Sequence, residues 1–260
     1  MKLHADFSKR AQWDTNAMEW IASPAGGVER KMLDRIGEEK ARATSIVRYA
    51  TNSGFPEHEH PMGEEFLVLE GVFSDEHGDY PAATYIRNPD GTRHSPFSKD
   101  GCTILVKLRQ FEPGDDRQFA VDTNTGEWVP RGKPGLSAMA LHEFGDETVR
   151  LVKFEPSAKV EHDPHPGGEE VLVLKGVLKE EHGVYPSGTW LRQPDGSKHA
   201  PWSDEGCVLW VKRGHLPPAS VRRHIDRAVR SGQNFEFSPQ VMERQQKNSS
   251  FGDGQSLYPE

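Results

Sequence analysis

The amino-acid sequence predicts an all-β protein with two tandem copies of one barrel or sandwich domain and a short C-terminal helix. Two observations support this prediction. One is a long internal repeat. The other is a series of short β-forming segments, separated by turn residues at intervals of about 8–12 positions. The chain has 260 residues, a length that accommodates two domains of about 100 residues each.

The composition excludes several classes of protein. The formal net charge of −8 argues against a general nucleic-acid binder. The two cysteines, Cys102 and Cys207, are too few for a disulfide scaffold. No apolar run is long enough for a membrane span, and the polar residues 1–6 do not resemble the start of a signal peptide. We therefore expect a soluble, cytoplasmic protein without nucleic-acid or membrane partners.

The internal repeat defines the expected domains. Residues 60–107 align without a gap with residues 165–212 at a constant offset of 105, and 27 of the 48 aligned pairs are identical. A second match lies upstream, where the Asp-Thr-Asn sequence that begins at Asp14 returns at Asp122. The sequence thus predicts a first domain over 12–118, a second over 120–217, and a C-terminal helix with a polar tail over 218–260.

Within each repeat, the local signals are those of strands. Residues 66–69, 84–87 and 102–107 are rich in β-forming residues, and turn sequences such as Asn-Pro-Asp-Gly separate them. After the second repeat, Ser220 is a candidate helix N-cap. The apolar residues that follow it on one helical face are Val221, Ile225, Ala228 and Val229. We expect this helix to dock on a barrel with its arginines facing solvent.

The strongest chemical signal is a group of histidines and a glutamate in the first repeat. Side chains alternate between the two faces of a strand, so His58, His60 and Glu64 share a face if they lie on one strand. His94 follows a predicted tight turn and can begin a neighbouring strand that closes on the same point. Three imidazoles and one carboxylate suit a divalent metal such as zinc, iron, nickel, copper or manganese.

The two repeated motifs resemble those of the cupin superfamily, whose fold is a double-stranded β-helix or jelly-roll barrel. The segment GEEFLVLEGVFSDEHGDYP at 63–81 is similar to the ChrR-like cupin group. Because both repeats carry this motif, the chain resembles a bicupin, with two tandem cupin barrels. The resemblance implies a divalent metal bound by His58, His60, Glu64 and His94. Zinc and iron are the leading candidates for this metal, and manganese and nickel are compatible with the same ligands.

The second repeat departs from this pattern at one position. His165, Glu169 and His199 match their counterparts, but Asp163 stands where the first repeat has His58. His162, one residue earlier, becomes an alternative ligand if a bulge beside the following proline turns it inward. The expected second ligand set is therefore Asp163, His165, Glu169 and His199, or the same set with His162 in place of Asp163.

Other repeated residues have plainer interpretations. Arg87 and Arg192 lie on strands that lead into the second motif, and they either reach the pocket to bind an anionic substrate or form outward ion pairs. His77 and His182 are expected to be structural turn residues. Each cysteine is expected to be a small buried hydrophobic residue, and the alternative is a redox-sensitive thiol beside the metal.

Three functions fit the sequence. The first is a ChrR-like metal cupin that responds to a small molecule or an oxidant. The second is an iron-dependent dioxygenase that cleaves a β-dicarbonyl-like small molecule, as implied by the resemblance to acetylacetone-cleaving cupins. The third is a structural bicupin whose metal stabilises the fold without catalysis. Whether the chain is an enzyme therefore stays open at this point.

The resemblance also bears on partners. ChrR-like proteins pair with an extracytoplasmic-function sigma factor through a zinc-binding domain with a His-x3-Cys-x2-Cys signature. No residues before Asp14 match that signature, so we do not expect a sigma-factor partner. We expect a small-molecule ligand or substrate, and either a monomer or a homodimer, because two fused barrels can pair with each other.

Overall fold

The computed structural model describes residues 1–216, and within that range the chain is built from β-strands without a helix. The predicted C-terminal helix that begins near Ser220 lies outside the described residues. Among residues 1–216, no helix is long and apolar enough to cross a membrane.

The strands fall into two similar series, one for each repeat. The first series is β1 (Lys2–Leu3), β2 (Ala11–Asp14), β3 (Ile21–Ala22), β4 (Val28–Ile36), β5 (Arg42–Tyr49), β6 (Ser53–Gly54), β7 (His58–Glu59), β8 (Glu64–Asp75), β9 (Gly78–Pro81), β10 (Thr84–Asn88), β11 (Arg93–His94), β12 (Phe97–Ser98) and β13 (Cys102–Leu108). The second series is β14 (Phe119–Asp122), β15 (Val129–Pro130), β16 (Leu136–Phe144), β17 (Glu147–Phe154), β18 (Ala158–Lys159), β19 (Asp163–His165), β20 (Glu169–Glu180), β21 (Gly183–Pro186), β22 (Thr189–Gln193), β23 (Ser197–His199), β24 (Trp202–Ser203) and β25 (Cys207–Arg213).

Each series forms one large antiparallel sheet that closes into a jelly-roll barrel. The first sheet has the order β1-β4-β5-β13-β8-β10-β14, and the second has the order β15-β16-β17-β25-β20-β22-β2. A two-stranded ladder accompanies each sheet, β7 with β11 in the first repeat and β19 with β23 in the second. The predicted all-β architecture of two tandem barrels is confirmed.

The two barrels exchange their edge strands. β2, which precedes the first repeat's barrel strands, pairs with β22 of the second barrel, with Trp13 opposite Trp190. β14, which precedes the second repeat's barrel strands, pairs with β10 of the first barrel, with Val121 opposite Tyr85. Each exchanged strand covers an edge that would otherwise present unpaired backbone groups.

The barrel strands are buried on both faces, which explains their nearly continuous apolar runs. In β8, Phe66 and Val68 point into the interior of the first barrel. Leu67, between them, belongs to a separate core that contains residues of both repeats, among them Trp190 and Trp210. The alternation of side chains along one strand thus assigns alternate residues to the barrel interior and to the interface between the barrels.

Candidate metal centre

The short ladder of β7 and β11 sets two of the candidate ligands opposite each other. His58 is the direct partner of His94 in this antiparallel pairing. The chain then leaves the ladder at His60, whose backbone N–H donates to the carbonyl oxygen of Thr92 at 3.0 Å. Backbone pairing in and beside the ladder therefore positions all three imidazoles.

A turn then brings Glu64 to the same point. Met62 and Gly63 both have positive φ angles, 59° and 76°, and a Cβ at Gly63 would lie 2.3 Å from the ring of Phe111. This close approach and the left-handed backbone both favour glycine. Glu64 starts β8 after the turn, so it does not lie on one continuous strand with His58 and His60, and the parity argument for their shared face does not apply. The convergence of these side chains comes from the turn.

The four side chains form one compact cluster. One donor atom from each of His58, His60, Glu64 and His94 lies within 4.8 Å of the others. The Nε2 atoms of His60 and His94 are both 3.6 Å from Glu64 Oε1. His60, Glu64 and His94 are 4%, 7% and 2% exposed, whereas His58 is only half-buried. The cluster therefore lies inside the first barrel with one edge toward the surface.

The second nitrogen of each ring is already engaged away from the cluster. The Nδ1 of His58 is 3.0 Å from the carbonyl oxygen of Pro56, which can only accept a hydrogen bond. The Nδ1 of His60 is 3.0 Å from Thr92 Oγ1, whose own proton is donated to the Pro89 carbonyl oxygen. Each Nδ1 therefore carries the proton, and each Nε2 has a free lone pair.

The third histidine, His94, also has its Nδ1 proton engaged, in this case by a carboxylate. The Nδ1 of His94 lies 3.2 Å from Asp75 Oδ2, so it donates to this carboxylate and leaves Nε2 with a lone pair. Burial opposes protonation of His94, but its hydrogen bond to Asp75 and the charge of Glu64 raise its pKa overall. A carboxylate behind the imidazole in this way makes it a more basic ligand.

The residues of the first cluster fit a bound cation. The cluster contains lone pairs on three Nε2 atoms and the negative charge of Glu64, whose Oε1 also accepts a hydrogen bond from Asn88 Nδ2 at 3.3 Å. The Nε2 of His60 is buried without any hydrogen-bond partner, and burial lowers the pKa of this imidazole, which opposes its protonation. Buried acceptors without a donor are costly, and a divalent ion satisfies all of them at once.

The second barrel contains the corresponding cluster with altered chemistry. Asp163 is the direct partner of His199 on the β19–β23 ladder, as His58 is of His94 on the first. Donor atoms of Asp163, His165 and His199 lie within 4.8 Å of one another. Glu169 approaches the same group, with Oε1 3.4 Å from His165 Nε2.

His162, the alternative ligand, is not a member of this group of donor atoms. Its side chain is exposed, while Asp163 occupies the position opposite His199. No bulge appears between β19 and β23 that would turn His162 inward, because Asp163, Pro164 and His165 pair in continuous register.

A positively charged residue that the sequence analysis did not identify lies in the second cluster. Arg213 donates to both carboxylates, through Nε to Glu169 Oε2 at 2.6 Å and through Nη1 to Asp163 Oδ1 at 3.0 Å. At the same register in the first barrel, Leu108 is paired with Glu64 as Arg213 is paired with Glu169. The signal was present one residue beyond the aligned repeat, where leucine is replaced by arginine.

The two repeated arginines lie between the barrels and do not line either cluster. Arg87 Nη1 donates to Glu65 Oε2 at 2.8 Å, and Arg192 Nη1 donates to Asp34 Oδ2 at 3.2 Å. Arg87 shares its strand face with Tyr85, which belongs to the inter-barrel core. Of the two alternatives that the sequence left open for these arginines, the ion pairs are the one observed. They form ion pairs that face away from their own barrel, at the interface with the other.

A third acidic cluster also belongs to this interface. Asp115, His142 and Glu147 lie within 4.8 Å of one another, and His142 Nε2 is 2.8 Å from Asp115 Oδ2. Arg87 pairs with both carboxylates of this cluster, and Lys212 lies 2.7 Å from Glu147. Because Arg87 and Lys212 already neutralise these carboxylates, we interpret the cluster as an ion-pair network between the barrels and not as a metal site.

The remaining repeated residues do not belong to the three groups of candidate metal ligands found among residues 1–216. His77 and His182 are exposed in the tight turns that follow β8 and β20. Cys102 and Cys207 are buried and free. Burial raises the pKa of both thiols, that of Cys207 to about 11, although hydrogen bonds from nearby serines oppose the shift.

Comparison with solved structures shows the fold. The chain resembles a putative dioxygenase from Nostoc punctiforme, with 17% identity, a TM-score of 0.66, and 82% of this chain and 85% of that chain covered. It also resembles a putative glyoxylate-induced protein from Pseudomonas aeruginosa, with 16% identity, a TM-score of 0.64, and coverages of 78% and 88%. A bacterial pirin from Escherichia coli in complex with nickel(II) gives 15% identity, a TM-score of 0.59, and coverages of 81% and 100%.

Comparison with families gives the closer relationship. No curated protein matches the chain. The family model described as the ChrR cupin-like domain matches twice, over residues 8–112 and over residues 116–217. These two matches confirm the resemblance that the repeated motifs indicated, and the chain therefore belongs to the ChrR cupin-like family, with two copies of its domain.

Proposed function

We propose that the first barrel holds one divalent metal ion through His58, His60, Glu64 and His94, and that the chain is a metal cupin that binds a small molecule at this ion. One observation supports the proposal above the others. Three imidazole lone pairs and a carboxylate meet inside a barrel. Among residues 1–216, Glu64 receives one hydrogen bond, from Asn88, and pairs with no lysine or arginine.

The donor set favours certain metals. The four candidate ligands are nitrogen and oxygen atoms, without a thiolate, which suits iron, manganese, nickel or zinc. Zinc with four protein ligands is closed and tetrahedral. Iron(II), manganese or nickel prefers about six ligands, so two positions stay available to a chelating small molecule. His58, the ligand nearest the surface, marks the side from which such a molecule enters.

A response to oxidants would have to come from the metal centre. Cys102 and Cys207 are buried, and burial raises the pKa of both thiols. The reactive form of cysteine is the thiolate, and an inaccessible thiol with a raised pKa forms little of it near neutral pH. We therefore assign no oxidant-sensing role to the cysteines.

A dioxygenase is the second candidate function. Its support is the nitrogen and oxygen donor set, together with the fold shared with a putative dioxygenase. An iron(II) ion in the cluster would supply the redox chemistry that such an enzyme needs. The chain's own residues would hold the ion, with Asp75 and Thr92 orienting two of the imidazoles.

The test begins with metal analysis of protein purified without oxygen. His60→Ala should lower the metal content by about one equivalent per chain, whereas His77→Ala, at an exposed turn, should leave it unchanged. An unchanged metal content in His60→Ala contradicts the proposed site.

The second step separates the functions. The iron-loaded protein is mixed with a panel of β-dicarbonyl compounds, and both O₂ consumption and the shift in Tm are recorded. A Tm shift that depends on the metal, without O₂ consumption, supports a binding cupin; O₂ consumption that is lost in His60→Ala supports the dioxygenase. If chelation lowers Tm but no compound binds or reacts, the metal is structural.

A further inference from the structure

The second barrel already contains a cation at its cluster. Arg213 Nη2 lies 2.5 Å from Asp163 Oδ2 and 2.5 Å from Glu169 Oε2, while Nη1 donates to Asp163 Oδ1 at 3.0 Å. Both oxygens of Asp163 and one oxygen of Glu169 are thus engaged by one guanidinium. The planar fork of arginine matches a carboxylate in this two-pronged manner.

The two differences between the clusters compensate each other. The second barrel has Asp163 where the first has His58, which adds a negative charge, and it has Arg213 where the first has Leu108, which adds a positive one. The strand registers prove both correspondences: Asp163 and His58 face the same ladder histidine, and Arg213 and Leu108 face the first residue of the same strand. Leu108 follows Val106 on the interior face of its barrel, and Arg213 follows Val211 in the same way.

A metal ion does not fit beside this arginine. An ion bound to Asp163 and Glu169 would lie within a few ångströms of a guanidinium that bonds the same oxygens, and like charges at that distance repel strongly where water is scarce. The guanidinium of arginine does not lose its proton in proteins, and both carboxylates hold Arg213 in place at the cluster. The first barrel has no such residue at the corresponding register, because leucine carries no charge.

The second cluster is accessible to a small ion. A cavity of about 170 Å³ reaches it, and its lining includes Asp163, Glu169, His199 and Arg213. Both clusters retain two histidines and a glutamate in matching positions. Of the two differences between them, only Arg213 adds a positive charge beside the candidate ligands.

We propose that Arg213 takes the place of the metal in the second barrel, so that the chain binds one metal ion and not two. This replaces the expectation of a second ligand set made of Asp163, His165, Glu169 and His199. The inference rests on the proposed metal site of the first barrel for its count of one, while the exclusion by Arg213 stands on the second cluster alone.

The test transfers the first barrel's residues to the second. Arg213→Leu together with Asp163→His recreates the first ligand set, and metal content measured by mass spectrometry should rise from one to two equivalents per chain. Arg150→Leu is the matched control, because Arg150 lines the same cavity but pairs with Glu143 outside the cluster. This control should keep one equivalent.

The reverse exchange places the second barrel's arginine and aspartate in the first barrel. Leu108→Arg together with His58→Asp should lower the metal content from one equivalent to none, with circular dichroism showing that the barrels remain folded. His165→Ala should leave the wild-type content at one.

The outcomes separate this inference from the proposed function. No metal in the wild-type protein contradicts the proposed function, while a gain of one equivalent in the second-barrel double variant still supports exclusion by Arg213. Two equivalents in the wild-type protein, or a loss of one equivalent in His165→Ala, overturns the inference. A folded second-barrel double variant without extra metal overturns it as well.

Discussion

Lys107 of the first repeat lies 2.5 Å from Glu170 of the second, and both side chains are almost completely buried between the barrels. The reciprocal pair joins Lys212, the equivalent of Lys107, to Glu65, the equivalent of Glu170. Burial lowers the pKa of Lys107 despite the neighbouring carboxylate, and Lys107 holds the pKa of Glu170 well below its usual range even though burial opposes this. The two barrels are thus joined by buried charges as well as by an apolar core.

Breaking one of these pairs should destabilise the protein strongly. Lys107→Met leaves the Glu170 carboxylate buried with only the hydrogen bond from His215 and without a cation, and we expect the free energy of unfolding in urea to fall by about 3–5 kcal/mol. Lys107→Met combined with Glu170→Leu should recover most of this loss, because no unpaired charge remains. Lys153→Met, which breaks a half-exposed pair with Glu155, should cost less than about 1 kcal/mol. A loss in Lys107→Met as small as that of the control would contradict the role of the buried pair.

The hydrogen bond behind His60 should control metal affinity. Thr92→Val removes the acceptor of the Nδ1 proton while preserving the side chain's shape, and we expect an affinity about 10–100-fold lower in competition with a fluorescent chelator. Ser197→Ala removes the equivalent acceptor of His165, which lies 3.1 Å away in the second barrel. Because that barrel is proposed to be free of metal, this matched variant should bind metal as the wild type does. Equal affinities in all three proteins would show that the Thr92 contact does not orient a ligand.

Stability should decrease in mild acid partly through His215. Burial lowers the pKa of His215 to about 3, although Glu170, which accepts its Nε2 proton at 3.1 Å, opposes this. An unfolded chain takes up a proton on this residue below its ordinary pKa of about 6.5, whereas the folded chain does not, so stability is lost as the pH falls from about 6.5 toward 3. Between pH 6 and pH 5, His215→Gln should reduce the slope of unfolding free energy against pH by about 1 kcal/mol per unit. His77→Gln, at an exposed turn, should leave the slope as it is, and an unchanged slope in His215→Gln would refute this assignment.

The two cysteines should be inert in the folded protein. Because both are buried with raised pKa values, a thiol reagent at neutral pH should detect neither of them, with or without metal. In denaturant, both should react. A thiol that becomes reactive only when the metal is removed would instead place that cysteine beside the metal centre.

Local spacing and the repeat sufficed to predict the first cluster. His58, His60 and Glu64 lie close together along the chain, and the repeat drew attention to His94. The expected reason for their convergence, the alternation of side chains along one strand, was nevertheless wrong. The backbone turns at Met62 and Gly63, and the residues do not continue on one strand.

Features that depend on strand pairing could not be predicted. Arg213 meets Glu169 only because β25 lies beside β20 in one particular register, and the sequence does not specify which strands become neighbours. Arg87 presented a different difficulty: all five residues of β10 are buried. When both faces of a strand are apolar or buried, the alternation of side chains cannot tell the barrel interior from the interface.

The exchange of β2 and β14 has a consequence for the origin of the protein. A single repeat, produced on its own, would keep its first strand but would lack the sheet on which that strand lies in the fused chain. Two separate copies could satisfy each other by trading these strands, as in a domain-swapped homodimer. The present chain corresponds to a covalent version of such a dimer, and its two halves, unlike those of a homodimer, can carry different residues at equivalent positions, as His58 and Asp163 do.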